Sequence, residues 1–95
     1  VLVKVTLDDG TVGFGEAAPL PAYNGETQAL ALETLRRAQA HVVGFAADDW
    51  REHARRVRET GGSACGSAQA GFELALLDAL ARRRGQPLWQ VFGGA

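Results

Sequence analysis

Methionine is absent from these 95 residues, and cysteine, lysine and tyrosine occur once each. With one cysteine, Cys65, an internal disulfide is excluded, and the composition fits a reducing compartment such as the cytoplasm. The lone lysine, Lys4, falls opposite the apolar face of a strand pattern, which argues against a lysine base or Schiff base. Charge of one sign is also lacking. Ten Lys+Arg against eleven Asp+Glu give a net charge of -1, so no basic field is available for nucleic acid or an anionic membrane. The longest uncharged stretch, residues 60–72, is 13 residues of mostly Gly, Ser and Ala. A bilayer span requires roughly 20 apolar residues, so no membrane helix is expected. What is present, 46% hydrophobic and 22% charged residues, is too apolar for disorder and sized for one small domain or part of a larger one. The chain opens inside a hydrophobic alternation and closes on Gly93-Gly94-Ala95 directly after an apolar segment, so both ends read as cut.

Val1, Val3, Val5 and Leu7 alternate with Leu2, Lys4 and Thr6, the period of a strand with one buried face. Asp9-Gly10 is the dipeptide that a two-residue type I′ turn prefers. That turn predicts a hairpin with Val5 opposite Phe14 and Val3 opposite Glu16, burying Leu7, Val12, Val5 and Phe14 on one face. Gly13 and Gly15 then share the other face, which implies either close approach by another backbone or a weakened, twisted strand. A two-stranded hairpin alone is marginal, so a third strand is expected in the complete sheet.

Residues 17–26 read as a loop, because Pro19 and Pro21 prevent a regular ladder and Asn24-Gly25 is a turn signal. Three helices follow. The first carries Ala31, Leu35, Ala38, Val42 and Phe45 on one face. The second opens at Asp49 with Glu52 three residues on, buries Trp50, Ala54 and Val57, and stops at Gly61-Gly62. The third, residues 67–84, is apolar over most of its circumference and so central. Arg82, Arg83 and Arg84 complement its negative end, Gly85 suits its C′ position, and Pro87 opens a short further turn over 88–92. The class is α+β: an antiparallel hairpin, part of a three-stranded sheet, followed by a small helical bundle.

Few residues point to chemistry. Gly13-Phe14-Gly15-Glu16-Ala17-Ala18 matches a dinucleotide fingerprint as a string, but Pro19 follows where a helix must open. His41 and His53 lack ligand-spaced partners and read as surface or half-buried histidines, and Cys65 reads as a packing residue. Glu16 and Asp78 fall on apolar faces, where an ionised carboxylate needs a partner or a shifted pKa. They read as structural acids tying strand and helix layers together, with Arg82 as the helical partner of Asp78.

The ordered set Val1-Leu2-Val3 through Asp9-Gly10, then Gly13-Phe14-Gly15-Glu16-Ala17-Ala18-Pro19, then Glu73-Leu74-Ala75-Leu76-Leu77-Asp78-Ala79-Leu80, then Gly85-Gln86-Pro87-Leu88 and Phe92-Gly93-Gly94, covers nearly the whole chain. It resembles the N-terminal capping domain of the enolase superfamily, in its muconate lactonizing enzyme and mandelate racemase branch. The resemblance implies residues 1–92 as the cap, with its first strand missing, and 93–95 as the start of a linker to an absent C-terminal (β/α) barrel. It implies an isomerase or lyase, dipeptide epimerase-like or muconate cycloisomerase-like, that uses Mg²⁺ on the barrel to remove a proton beside a carboxylate. The chain alone then holds no catalytic residue and no metal. The implied partners are the barrel, a small carboxylate substrate and, at full length, further copies of the enzyme in the cytoplasm. By position in the cap loop, Leu20, Pro21, Tyr23 and Asn24 are the candidates for lining the substrate; a plain connector with Tyr23 packed inward is the competing reading. A free-standing α+β interaction module without catalysis is the alternative for the whole chain.

Overall fold

The computed structural model describes residues 1–19, 25–44, 46, 49–59 and 65–87. Two antiparallel strands, β1 (Leu2–Thr6) and β2 (Val12–Glu16), precede three helices, α1 (Gln28–Val42), α2 (Trp50–Glu59) and α3 (Gly66–Arg84). The α+β class stands. The expected third strand and the turn over 88–92 lie outside the described residues, as do Phe45, Gly61 and Gly62.

The hairpin register is one residue away from the expected one. Val5 pairs with Gly13, Lys4 with Phe14 and Val3 with Gly15. The turn takes three residues instead of two: Gly10 N–H donates to the Leu7 carbonyl at 3.0 Å, and Leu7 N–H to Thr11 at 2.8 Å. Gly10, at φ +88°, supplies the left-handed position that ends this loop type. Because strand side chains alternate with period two, the slip transfers each β2 residue to the other face. Phe14 is therefore 45% exposed, and Gly13 and Gly15 turn inward beside Val3 and Val5.

Close approach by another backbone is the reason. A Cβ at Gly13 would overlap the backbone of Ala75 and Ala79 in α3, and one at Gly15 would lie 2.8 Å from Ala75 N. Glycine is what allows β2 and α3 to touch main chain to main chain. Phe14 could not face α3 at that separation. One further bond joins the layers, from Phe14 N–H to the Asp78 carboxylate at 2.9 Å.

Helix boundaries follow local signals. The Thr27 hydroxyl accepts from Leu30 N–H at 3.1 Å and starts α1. Asp49 accepts from Glu52 N–H at 3.3 Å and starts α2. Gly85, at φ +63°, ends α3, with Gln86 N–H reaching back to the Ala81 carbonyl at 3.0 Å. Nine residues of α3 are buried, which makes it the central helix. Phe72, Leu76, Leu77 and Leu80 pack with Leu7, Ala38 and Val57 in one part of the core. Each of the large side chains contributes on the order of 2 kcal/mol by leaving water. Val3, Ala17, Ala31, Cys65, Ala68 and Ala75 form the other part, where small residues let the elements close up. His53, expected at the surface or half-buried, is buried instead, with Nε2 against the Ala46 carbonyl oxygen; His41 is exposed.

Candidate functional site

The segment between β2 and α1 is the one that the family resemblance assigns to substrate contact. Leu20, Pro21, Tyr23 and Asn24 lie outside the described residues. Its two roots are described, and both rest on the first half of α3. At the first root, Ala17 is fully buried, and its N–H donates to the Val1 carbonyl at 2.8 Å. Ala17 lies against Gly71 so closely that a Cβ there would sit 2.9 Å from Ala17 N.

The second root is Glu26. Its Oε1 accepts from Ser67 N–H at 2.9 Å and from the Cys65 thiol at 3.2 Å. The residue is 9% exposed, a buried acid. Hydrogen bonds from the Ser67 hydroxyl, the Ser67 amide and the Cys65 thiol hold its carboxyl below the usual carboxylate range. The partners explain the burial. Cys65 occupies the N-cap position of α3 and makes no capping bond with its own side chain. Glu26 supplies the missing acceptor from another part of the chain, at the helix end where a negative charge is favoured. Its neighbour Thr27 caps α1, so adjacent residues begin two helices. The roots meet α3 at Ser67 and Gly71, roughly 6 Å apart along its axis.

Glu26 escaped the sequence reading. Its partners are 39 and 41 residues away, and no local pattern announces a carboxylate that caps a distant helix. The two acids that were singled out have separate fates. Asp78 lies between layers: its Oδ2 accepts from Phe14 N–H and from Arg82 Nε at 3.1 Å, the i,i+4 partner its spacing predicts. Glu16 is not on the apolar face. The register shift turns it outward, where its side chain is 60% exposed.

A concave feature flanks β1. A cleft of about 810 Å³ runs beside the strand and is walled by Leu35 and Val42 of α1 and by Phe72 and Leu76 of α3. The bonds of Val1, Leu7 and the β1–β2 pairs assign the odd-numbered residues of β1 to β2. The backbone groups of Leu2, Lys4 and Thr6 therefore face the other edge, where no strand pairs among the described residues. Among the described residues, no group of three or more His, Cys, Asp or Glu could hold a metal ion, and no helix is long and apolar enough to cross a membrane.

The geometry agrees with what the chain is similar to. Residues 1–93 match the family described as mandelate racemase / muconate lactonizing enzyme, N-terminal domain. The aromatic dipeptide epimerase of Herpetosiphon aurantiacus is 46% identical over 94 residues, 99% of this chain and 26% of that protein. The L-Ala-D/L-amino acid epimerase of Populus trichocarpa is 38% identical, over 100% of this chain and 23% of its own length. The crystal structure of a mandelate racemase/muconate lactonizing enzyme from Roseiflexus sp. superposes with a TM-score of 0.90 at 49% identity, covering 99% of this chain and 26% of that one. The chain thus spans about a quarter of the length of the relatives it matches. It belongs to the mandelate racemase/muconate lactonizing enzyme family, as that family's N-terminal domain.

Proposed function

We propose that this domain is the substrate cap of an enolase-superfamily dipeptide epimerase in the cytoplasm. Residues 1–92 form the cap and 93–95 lead toward a C-terminal (β/α) barrel. One observation supports the capping role: Ala17 and Glu26, which flank the segment holding Leu20, Pro21, Tyr23 and Asn24, are both fixed to the same helix. A loop held this way can present side chains to a substrate and exclude water while the scaffold stays still. Between the dipeptide and muconate alternatives, relatives named as dipeptide epimerases favour the former. In this reading the substrate is a dipeptide whose α-proton is exchanged, and the full-length enzyme is a homo-oligomer.

The described residues do not fit a metal, so no metal-dependent step is derived from this domain. The Mg²⁺ of the full-length enzyme belongs, in this reading, to the barrel. A strand from outside residues 1–95 lies along β1 and fills the cleft, as the outward-facing backbone of Leu2, Lys4 and Thr6 invites.

Solvent exchange tests the reaction. The polypeptide containing this segment, incubated with dipeptides in D₂O, is expected to replace the α-proton of one residue, as followed by NMR. Tyr23→Ala should lower kcat/KM on the order of tenfold through loss of a pocket contact. Exchange confined to substrates other than dipeptides would overturn the assignment.

A further inference from the structure

We propose that the groove between α2 and α3 is a docking site for an acidic amphipathic helix of another protein. The groove, about 730 Å³, is floored by Ala54 and Leu77 and edged by Trp50 on α2 and Leu74 on α3. Leu74 is 45% exposed, the one leucine of α3 that is not buried. Arg51, Arg55 and Arg58 line the α2 wall at helical spacing. Glu52 and Glu59 neutralise Arg55, but no carboxylate among the described residues pairs with Arg51 or Arg58. Their separation by seven positions puts two unbalanced cations on one face, two turns or roughly 10 Å apart along the axis. Arg51 is held at the groove mouth, its guanidinium carbon 4.7 Å from the centre of the Trp50 ring. The α3 wall offers one acid, Glu73, which accepts from Gln69 Nε2 at 3.1 Å.

These features specify the occupant. An apolar floor between two packed helices takes a third helix through side chains at i, i+3, i+4 and i+7. Carboxylates at i and i+7 of that helix match the spacing of Arg51 and Arg58, while leucines at i+3 and i+4 reach Leu74 and the floor. A second copy of this chain does not supply the pattern from any described helix. The single acid of α1 is Glu33, arginines lie between Glu52 and Glu59 of α2, and Glu73 and Asp78 of α3 are too closely spaced. A groove rimmed by arginine, with one exposed leucine at its edge, is too polar for a permanent interface, whose buried surface resembles a core. It suits a contact that forms and dissolves, and Trp and Arg are the side chains that most often dominate such binding. The proposal does not depend on which reaction the full-length enzyme catalyses.

Fluorescence anisotropy tests this on the full-length enzyme with two labelled, alanine-based helical peptides. One carries glutamates at i and i+7 and leucines at i+3 and i+4; in its twin, lysines replace the glutamates. The wild type is expected to bind the glutamate peptide saturably and about tenfold more tightly than the lysine peptide, with a preference that shrinks as salt rises. Arg51→Glu combined with Arg58→Glu should reverse the preference toward the lysine peptide. Leu74→Ser should weaken the glutamate peptide on the order of tenfold through loss of the apolar contact. That variant also tests the site by itself if the charge-reversed one fails to fold. Absence of saturable binding to the wild type would overturn the proposal, whether the groove does not fit a helix or the rest of the polypeptide already fills it. So would equal affinity for the two peptides, a preference that survives charge reversal, or binding indifferent to Leu74→Ser.

Discussion

An alanine methyl at Gly13 would have nowhere to go, because the backbone of Ala75 and Ala79 already fills that space. At Gly10 the same methyl meets nothing within 4 Å, and its cost is the positive φ alone. Gly13→Ala should therefore destabilise the domain by on the order of 3 kcal/mol or more, through forced separation of strand and helix. Gly10→Ala should cost about 1 kcal/mol. Urea midpoints of the two variants check the ordering, and equal losses would contradict the close approach. Carboxylates make a second prediction. Asp9 is held below its ordinary range by the Thr11 amide, Glu26 by Ser67, and Glu52 by Arg55. Each folded value lies below the unfolded one, so the unfolded chain takes up protons first as pH falls. Their contribution is present above the ordinary glutamate value of 4.5 and is lost as pH drops through the lowered folded values. The urea midpoint of the wild type should fall more steeply below pH 4.5 than that of Glu26→Gln, and the curves should run parallel above it. At this scale the sequence showed what adjacency can show. The Asp78–Arg82 pair is one helical turn and was legible; the bond from Phe14 to Asp78 spans 64 residues and was not.

Elements were legible where a local rule decides them. Asp49 and Gly85 sit at helix ends because a side-chain acceptor and a left-handed glycine satisfy orphaned backbone groups there; Thr27 does the same for α1 and was not read from the sequence. Asp49→Ala should cost about 1 kcal/mol and fray α2 first, as seen in amide exchange over residues 50–53. The register was decided elsewhere. Asp8-Asp9-Gly10 serves a two-residue or a three-residue turn equally well, and apolar alternation on β1 is compatible with both. The choice falls to α3, whose small residues Gly71 and Ala75 accept only glycine opposite them. Asp78 then locks that choice by taking the Phe14 amide at the outer edge of β2. Asp78→Ala should cost about 1–2 kcal/mol, because it removes the acceptor of a strand N–H; chemical denaturation gives the value. A loss confined to a few tenths would mean that glycine packing alone holds the register.

For the whole molecule, the open side of β1 and the cap assignment make linked predictions. Residues 1–95 alone should self-associate through the β1 edge, with sedimentation that depends on concentration. Lys4→Pro removes a donor from that edge only and should leave the chain monomeric and folded. Self-association unaffected by Lys4→Pro would place the contact on another surface. In its source cells the segment should be found in a product about four times its own 10.1 kDa mass, as the quarter-length match implies; a 10.1 kDa product would instead favour a free-standing binding module. The fixed roots at Ala17 and Glu26 carry one more consequence. Both ends of the intervening segment are fixed by the scaffold itself, and doubling the length of a flexible segment between fixed ends costs only about 0.6 kcal/mol. Residues 18–25 can thus be exchanged as a cassette, shortened, lengthened or grafted from a relative with another appetite, while the rest of the fold remains untouched. If the segment caps the substrate as proposed, substrate range and stability become separately adjustable, with the splice points at an alanine and a glutamate.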